Sequence, residues 1–180
     1  MTKSDVADQL SGVELTVREL FHEHAGYVWS TLRRLGAARE DVEDLVHEVF
    51  LRVHLHRAEY DASRPIRPWL FGFAYRVAQE HRRNGKKRAT HTASEPVDTR
   101  PLADEIVSRA EDRQLVLDAL ATLDLERCAV FVMFEVDEVP MNEIARSFGI
   151  PVNTGYSRLR LAREDFAAAV KRLKVRRGEK

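Results

Sequence analysis

The 180-residue sequence predicts an all-α protein of two small helical domains joined by a flexible linker, and three observations carry that prediction. Apolar residues recur at the i, i+3, i+4, i+7 spacing of a helix stripe, and nothing reads as a run of strands. Residues 89–110, "ATHTASEPVDTRPLADEIVSRA", hold two of the six prolines, several small polar residues and little periodicity, the composition of a flexible linker. With 44% hydrophobic residues the chain can build one core or two of roughly 70–80 residues each, near the lower limit for independent folding. The resulting boundaries are 14–88 for a first domain, 89–110 for the linker and 111–175 for a second domain, with no internal repeat.

In the first domain, "EDVEDLVHEVFLRV" places Val42, Leu45, Val46, Val49, Phe50 and Val53 on one face of a helix. Glu40, Asp41, Glu43, Asp44 and Glu48 crowd its first turns, where carboxylates favour the helix dipole. Dipole and capping account for some of them, but five acids and no base in nine residues read as a docking face for a basic partner. "PWLFGFAYRVAQEHRR" repeats the pattern with Trp69, Leu70, Phe73, Ala74 and Val77, starting at Pro68 and ending at Gly85. Around it Arg64, Arg67, Arg76, Arg82 and Arg83 interleave with Trp69, Phe71, Phe73 and Tyr75. Flat rings with guanidinium groups suit unstacked bases and a single-strand backbone. The spacing of Trp69 and Phe73 marks core, so Phe71 and Tyr75, off that stripe, are the better candidates for base contact.

In the second domain, "QLVLDALATL" and "RCAVFVMFEV" are helical, and "MNEIARSFGIPVNTGYSRLR" is a helix interrupted at Phe148-Gly149-Ile150 and restarted at Pro151. Ile144 and Phe148 point inward, Ala145 is the small residue, and Gly149 takes the turn, where a left-handed backbone costs glycine little. The second helix presents Thr154, Tyr156, Ser157, Arg158, Arg160 and Arg163 outward. Arg can make bidentate bonds to guanine, and Ser and Thr can bond bases or phosphates, so a helix-turn-helix with its second helix in a major groove explains these residues together. The alternative is a solvated helical hairpin. Gly155 falls where such helices usually carry a β-branched core residue; it predicts about 1 kcal/mol of lost helix propensity and thin packing.

Lys plus Arg equal Asp plus Glu at 29 each, so net charge gives no pointer to nucleic acid, whereas distribution does. Residues 64–88 carry eight bases against one acid, and residues 156–177 eight against two. Cys128 is the sole cysteine, which excludes an intrachain disulfide and reads as a buried inert thiol. No signal peptide or membrane span is visible, and a cytoplasmic location is expected. His47 and His54 share a helix, but Leu51 stands where a His-Glu-x-x-His zinc site needs its second histidine, so no metal or other cofactor is predicted.

Three stretches in order resemble the extracytoplasmic-function (ECF) sigma factors, group 4 of the sigma-70 family, from about Leu15 to Leu173. "AREDVEDLVHEVFLRVHLH" resembles their region-2 polymerase-docking helix, "RPWLFGFAYRVAQEHRR" their promoter-melting segment, and "MNEIARSFGIPVNTGYSRLRLARED" their region-4 reader. The resemblance implies a non-catalytic specificity subunit of bacterial RNA polymerase. Region 2 (14–88) would grip the β′ clamp through Asp41, Glu43, Asp44, Leu45 and Glu48. The same region would open the −10 element with Arg64, Arg67, Trp69, Phe71, Tyr75, Arg76, Arg82 and Arg83. Region 4 (111–175) would sit on the β flap and read the −35 element with Thr154, Tyr156, Ser157, Arg158, Arg160 and Arg163. The implied partners are core RNA polymerase, promoter DNA and an anti-sigma factor, often membrane-anchored in this family, which would hold the chain at the membrane. Arg76, Pro68 and Tyr156 depart from the family pattern, which often has asparagine, a small residue and a basic residue there. A stand-alone helix-turn-helix regulator would leave the acidic helix and the aromatic-arginine segment unexplained; a metal-dependent hydrolase would rest on the histidines only.

Overall fold

The computed structural model describes residues 16–88 and 104–178, which hold no strand. Among the described residues seven helices follow one another: α1 (Val17–Arg34), α2 (Val42–His56), α3 (Ile66–Arg88), α4 (Asp104–Ala121), α5 (Leu125–Phe131), α6 (Met141–Phe148) and α7 (Val152–Arg177). A 3-10 turn, Arg57–Glu59, follows α2, and a π-helical turn, Val132–Val136, extends α5. The all-α expectation holds. Within it, two boundaries differ: α3 runs through Gly85 to Arg88, and α4 begins at Asp104, so the last seven positions read as linker are helical. Residues 89–103 lie outside the described residues.

In the first half, α1 begins with a capping box. Thr16 Oγ1 accepts from the Glu19 N–H at 3.3 Å while Glu19 Oε2 accepts from the Thr16 N–H at 3.0 Å. α2 buries all six residues of its predicted stripe. On α3 the buried set is Leu70, Phe71, Phe73, Ala74, Val77 and Ala78, with Trp69 only partly covered. That stripe is wider than the one predicted because α3 packs against α1, α2 and also α6.

In the second half, α4, α5 and α6 all pack on α7 around Leu120, Val130, Met133, Ile144, Leu159 and Ala162. Gly149 closes α6 in the left-handed region at φ 62°, and the Ile150 N–H reaches the Ala145 carbonyl at 3.0 Å, as the helix-turn-helix reading required. Gly155 corrects the expectation of thin packing. It is buried, and a Cβ there would stand 2.5 Å from Met141 Sδ, so the methionine of α6 fills the space the glycine leaves.

The two halves share one continuous apolar core. Polar contacts pin the seam. The Tyr27 hydroxyl donates to Asp137 Oδ2 at 2.7 Å, Arg34 Nη1 lies 3.8 Å from Asp137 Oδ1, and Arg82 donates to the Leu123 carbonyl at 3.3 Å. Burial pushes the Tyr27 hydroxyl and the Asp137 carboxyl above their ordinary values; Tyr27 therefore keeps its proton at neutral pH and remains the donor. Cys128 is buried, its Sγ donates to the Arg34 carbonyl at 3.4 Å, and desolvation pushes the thiol up to about 12, as a buried inert thiol requires.

The backbone between the π-helical turn and α6 is tight: the Val139 N–H bonds the Met133 carbonyl at 2.9 Å, and Glu138 lies at φ 55°. Glu138 is the single non-glycine residue with positive φ among the described residues. A side chain there costs about 1–2 kcal/mol relative to glycine. Glu138→Gly is therefore expected to raise stability by about 1 kcal/mol after the added unfolded-state entropy, a melting shift of roughly 2–4 °C by calorimetry.

Candidate nucleic-acid interface

A cleft of about 260 Å³ opens where the 3-10 turn, the start of α3 and the side of α6 meet. Trp69 lines it, held by Tyr60 at a ring separation of 4.9 Å and by the edge of Phe73 at 4.9 Å. Arg64 and Arg76 also line it, the first bonded to Asp61 at 3.1 Å, the second lying 5.8 Å over the Phe73 ring. Aromatic surface lies here among the guanidinium groups of Arg64, Arg76 and Arg146 and the carboxylates of Glu59, Asp61 and Glu143, a hollow that can take a flat ring between its cations. Arg67 is exposed, its guanidinium 5.4 Å over the Tyr27 ring, and Arg83 is exposed farther along α3. Arg82 is partly buried and turned to the Leu123 carbonyl rather than to solvent.

On α7, Asn153, Tyr156, Ser157, Arg160 and Arg163 are exposed along one face. Arg160 bonds Glu164 at 2.7 Å, and Arg163 bonds Glu135 at 2.7 Å. These exposed pairs are worth little and exchange readily for phosphate or base contacts. Thr154 and Arg158 lie on the flank, partly buried, and Arg158 pairs with Glu126 at the start of α5. The outward exposure expected of Arg158 is thus corrected: at 100° per residue it falls about 160° from Arg160, toward α5.

The carboxylates of Glu43 and Asp44 on α2 and of Glu40 just before it are exposed, and Asp41 precedes the helix without capping it, 3.3 Å from His81. Glu48 is engaged by Arg52, which also binds Glu80 at 2.6 Å; that hydrogen bond and charge hold the Glu80 carboxyl below its ordinary value. Leu45 is in the core, so it supports this face from beneath and cannot contact a partner. His47 stacks on Phe21 at 6.0 Å.

The first half, residues 20–88, matches the family model for sigma-70 region 2, and residues 113–166 match that for sigma-70 region 4. The chain is 35% identical over 151 residues to the ECF RNA polymerase sigma factor SigL of Mycobacterium tuberculosis, covering 81% of this chain and 84% of that one. This chain is an ECF sigma factor. It is 28% identical over 152 residues to the sigma factor CarQ of Myxococcus xanthus, covering 84% and 86%. Two solved structures share the fold. CnrH in complex with the cytosolic domain of CnrY aligns with a TM-score of 0.63 at 22% identity, over 92% of this chain and 94% of that one. RpoE with the anti-sigma factor NepR from Bartonella quintana aligns at 0.64 and 16% identity, over 86% and 96%.

In this sigma factor the aromatic assignments made from spacing change places. Phe71 is wholly buried and Trp69 lines the cleft, so Phe71 has no ring face for a base, while Trp69 does. Tyr75 is half-buried, meeting the Phe148 ring edge-on at 5.0 Å. Sequence reasoning missed Tyr60 and Asp61, whose signal was an aromatic and an acid in the short loop before the arginine-rich helix. It also missed Asn153, a polar side chain in the first turn of α7 whose amide has the donor and acceptor that adenine demands. Phe71→Ala is expected to destabilise the sigma factor by about 3–5 kcal/mol in denaturant unfolding, the range for emptying a buried phenylalanine site. Trp69→Ala is expected to lose far less.

Proposed function

We propose that this ECF sigma factor divides promoter recognition among three surfaces. The exposed carboxylates of Glu43 and Asp44 on α2, with Glu40 and Asp41 just before it, dock the β′ clamp of core RNA polymerase. The Trp69 cleft, with Arg64, Arg67, Arg76 and Tyr75, receives bases and backbone of the opened −10 strand. The outward face of α7, through Asn153, Tyr156, Ser157, Arg160 and Arg163, reads the −35 duplex. The observation that carries this reading is the Trp69 cleft in the half that matches region 2, combined with a basic outward helix after a glycine turn in the half that matches region 4. A stand-alone DNA-binding regulator would use α7 and leave the cleft and the acidic helix idle.

The reading includes a cytoplasmic subunit that supplies specificity and no catalytic group. It also includes an anti-sigma partner, since the solved RpoE was captured with the anti-sigma factor NepR and CnrH with the cytosolic domain of CnrY. No helix of the described residues is long and apolar enough to cross a membrane. Sequencing RNA made by core polymerase with this protein on genomic DNA would test the reading and deliver the promoter.

On such a promoter, Trp69→Ala is expected to leave polymerase binding intact while reducing permanganate reactivity of thymines near −10. Stacking is worth roughly 1–3 kcal/mol per base, and a pre-melted bubble template is expected to restore transcription. Equal failure on the bubble would remove Trp69 from strand opening. Arg160→Ala is expected to weaken binding by about 1–3 kcal/mol and relax preference at one −35 position; an equal loss on every sequence would mark a phosphate contact. Charge reversal of Glu43 and Asp44 to lysine is expected to weaken core polymerase binding in gel filtration without loss of helicity by circular dichroism.

A further inference from the structure

Apolar side chains exposed singly on a surface need no explanation, but α7 opens with a pair of them. Val152 is 41% exposed and Tyr156 52% exposed, four residues apart and therefore neighbours along one line of the helix. At 100° per residue Tyr156 lies about 40° round from Val152, Arg160 about 40° beyond Tyr156, and Asn153 about 20° beyond Arg160. The face thus carries two lanes, an apolar one of Val152 and Tyr156 and a polar one of Asn153 and Arg160, all four exposed. The buried residues of this stretch, which pack α7 onto its neighbours, are Gly155, Leu159 and Ala162, and they belong to neither lane.

We propose that Val152 and Tyr156 read thymine, packing on C5-methyl groups in the major groove of the −35 duplex while Asn153 and Arg160 bond base edges beside them. The inference rests on the reading of the outward face of α7 as the −35 reader, and it names the base that the apolar lane selects. The thymine methyl is the apolar mark on the floor of the major groove, and hydrogen-bonding side chains gain nothing from it. Four residues of helix rise about 6 Å, close to two base-pair steps of about 3.4 Å each, so the lane asks for thymines one or two steps apart. Charge favours duplex DNA as the occupant over a protein surface. Arg160 and Arg163 follow Tyr156 at the next turns, and their partners Glu164 and Glu135 are exposed carboxylates that phosphate can replace.

The test uses core polymerase with the full chain on a promoter found by the transcript sequencing above. Each −35 thymine is replaced in turn by deoxyuridine, which removes the methyl and keeps every hydrogen-bonding edge. Wild-type holoenzyme is expected to lose about fourfold in affinity at one or two of these positions, the worth of one buried methyl. Tyr156→Ala and Val152→Ala are each expected to bind more weakly and to be indifferent to the uracil that the missing side chain reads, while Tyr156→Phe keeps the wild-type response. Both side chains are exposed, so circular dichroism should show unchanged helicity. Indifference of the wild type to every uracil, or a −35 element without thymine on either strand, would overturn the proposal. A double alanine variant at 152 and 156 that still senses the uracils would overturn it too. So would weaker binding of that variant to core polymerase without DNA, which makes the lane a protein-docking surface. If the uracil arm fails, Arg160→Ala decides separately whether α7 reads the −35 duplex: relaxed preference at one position leaves that reading standing, and unchanged preference removes both.

Discussion

The packing of α3 against three other helices is the constraint on which this structure depends. Leu70, Phe71, Ala74, Val77 and Ala78 leave the helix no apolar face to spare for solvent, because α1 and α2 cover it from one half and α6 from the other. Its arginines are thereby forced onto the remaining arc. Trp69 lies at the margin, where one part of the ring is packed and another looks into a hollow. The site exists because a core helix has an edge.

The same constraint explains what spacing alone could and could not show. The stripe of α2 was legible residue by residue, since its helix is buried on one face and its other face meets water. The α3 stripe was misjudged at Phe71 because the pattern assumes a single packing partner, and a second half of the molecule covers the flank. Helix α1 was not assigned at all. Its inward line runs Leu20, His24, Tyr27, Val28, Thr31, and the polar members, which break the apolar period, sit on a helix that turns Tyr27 and Arg34 toward the other half. Polar residues that serve a seam between halves look like surface to any rule built on hydrophobicity.

The candidate site divides in the same way. The turn at Gly149 and the outward positions of Tyr156, Ser157, Arg160 and Arg163 follow from helical periodicity, so they were readable. Arg158 was placed outward only because it is an arginine; the angle along α7 carries it to Glu126 instead. Tyr60 and Asp61 left only a faint signal because a loop has no period, and the fold brings them beside Trp69.

Gly155 and Met141 make a last point about how this chain can change. The methionine occupies the volume that a Cβ on α7 would take, so the two positions, fourteen apart in sequence, act as one unit of shape. Enlarging 155 alone overpacks the contact between the helices of the turn motif, and shrinking 141 alone leaves a void beneath α7. Substitutions that look independent on paper are therefore linked, and the path to a differently packed reader runs through paired exchange. The angle of the proposed reading helix over its support is thus inherited as a two-residue combination, which restricts how freely its outward residues can be re-aimed toward another promoter.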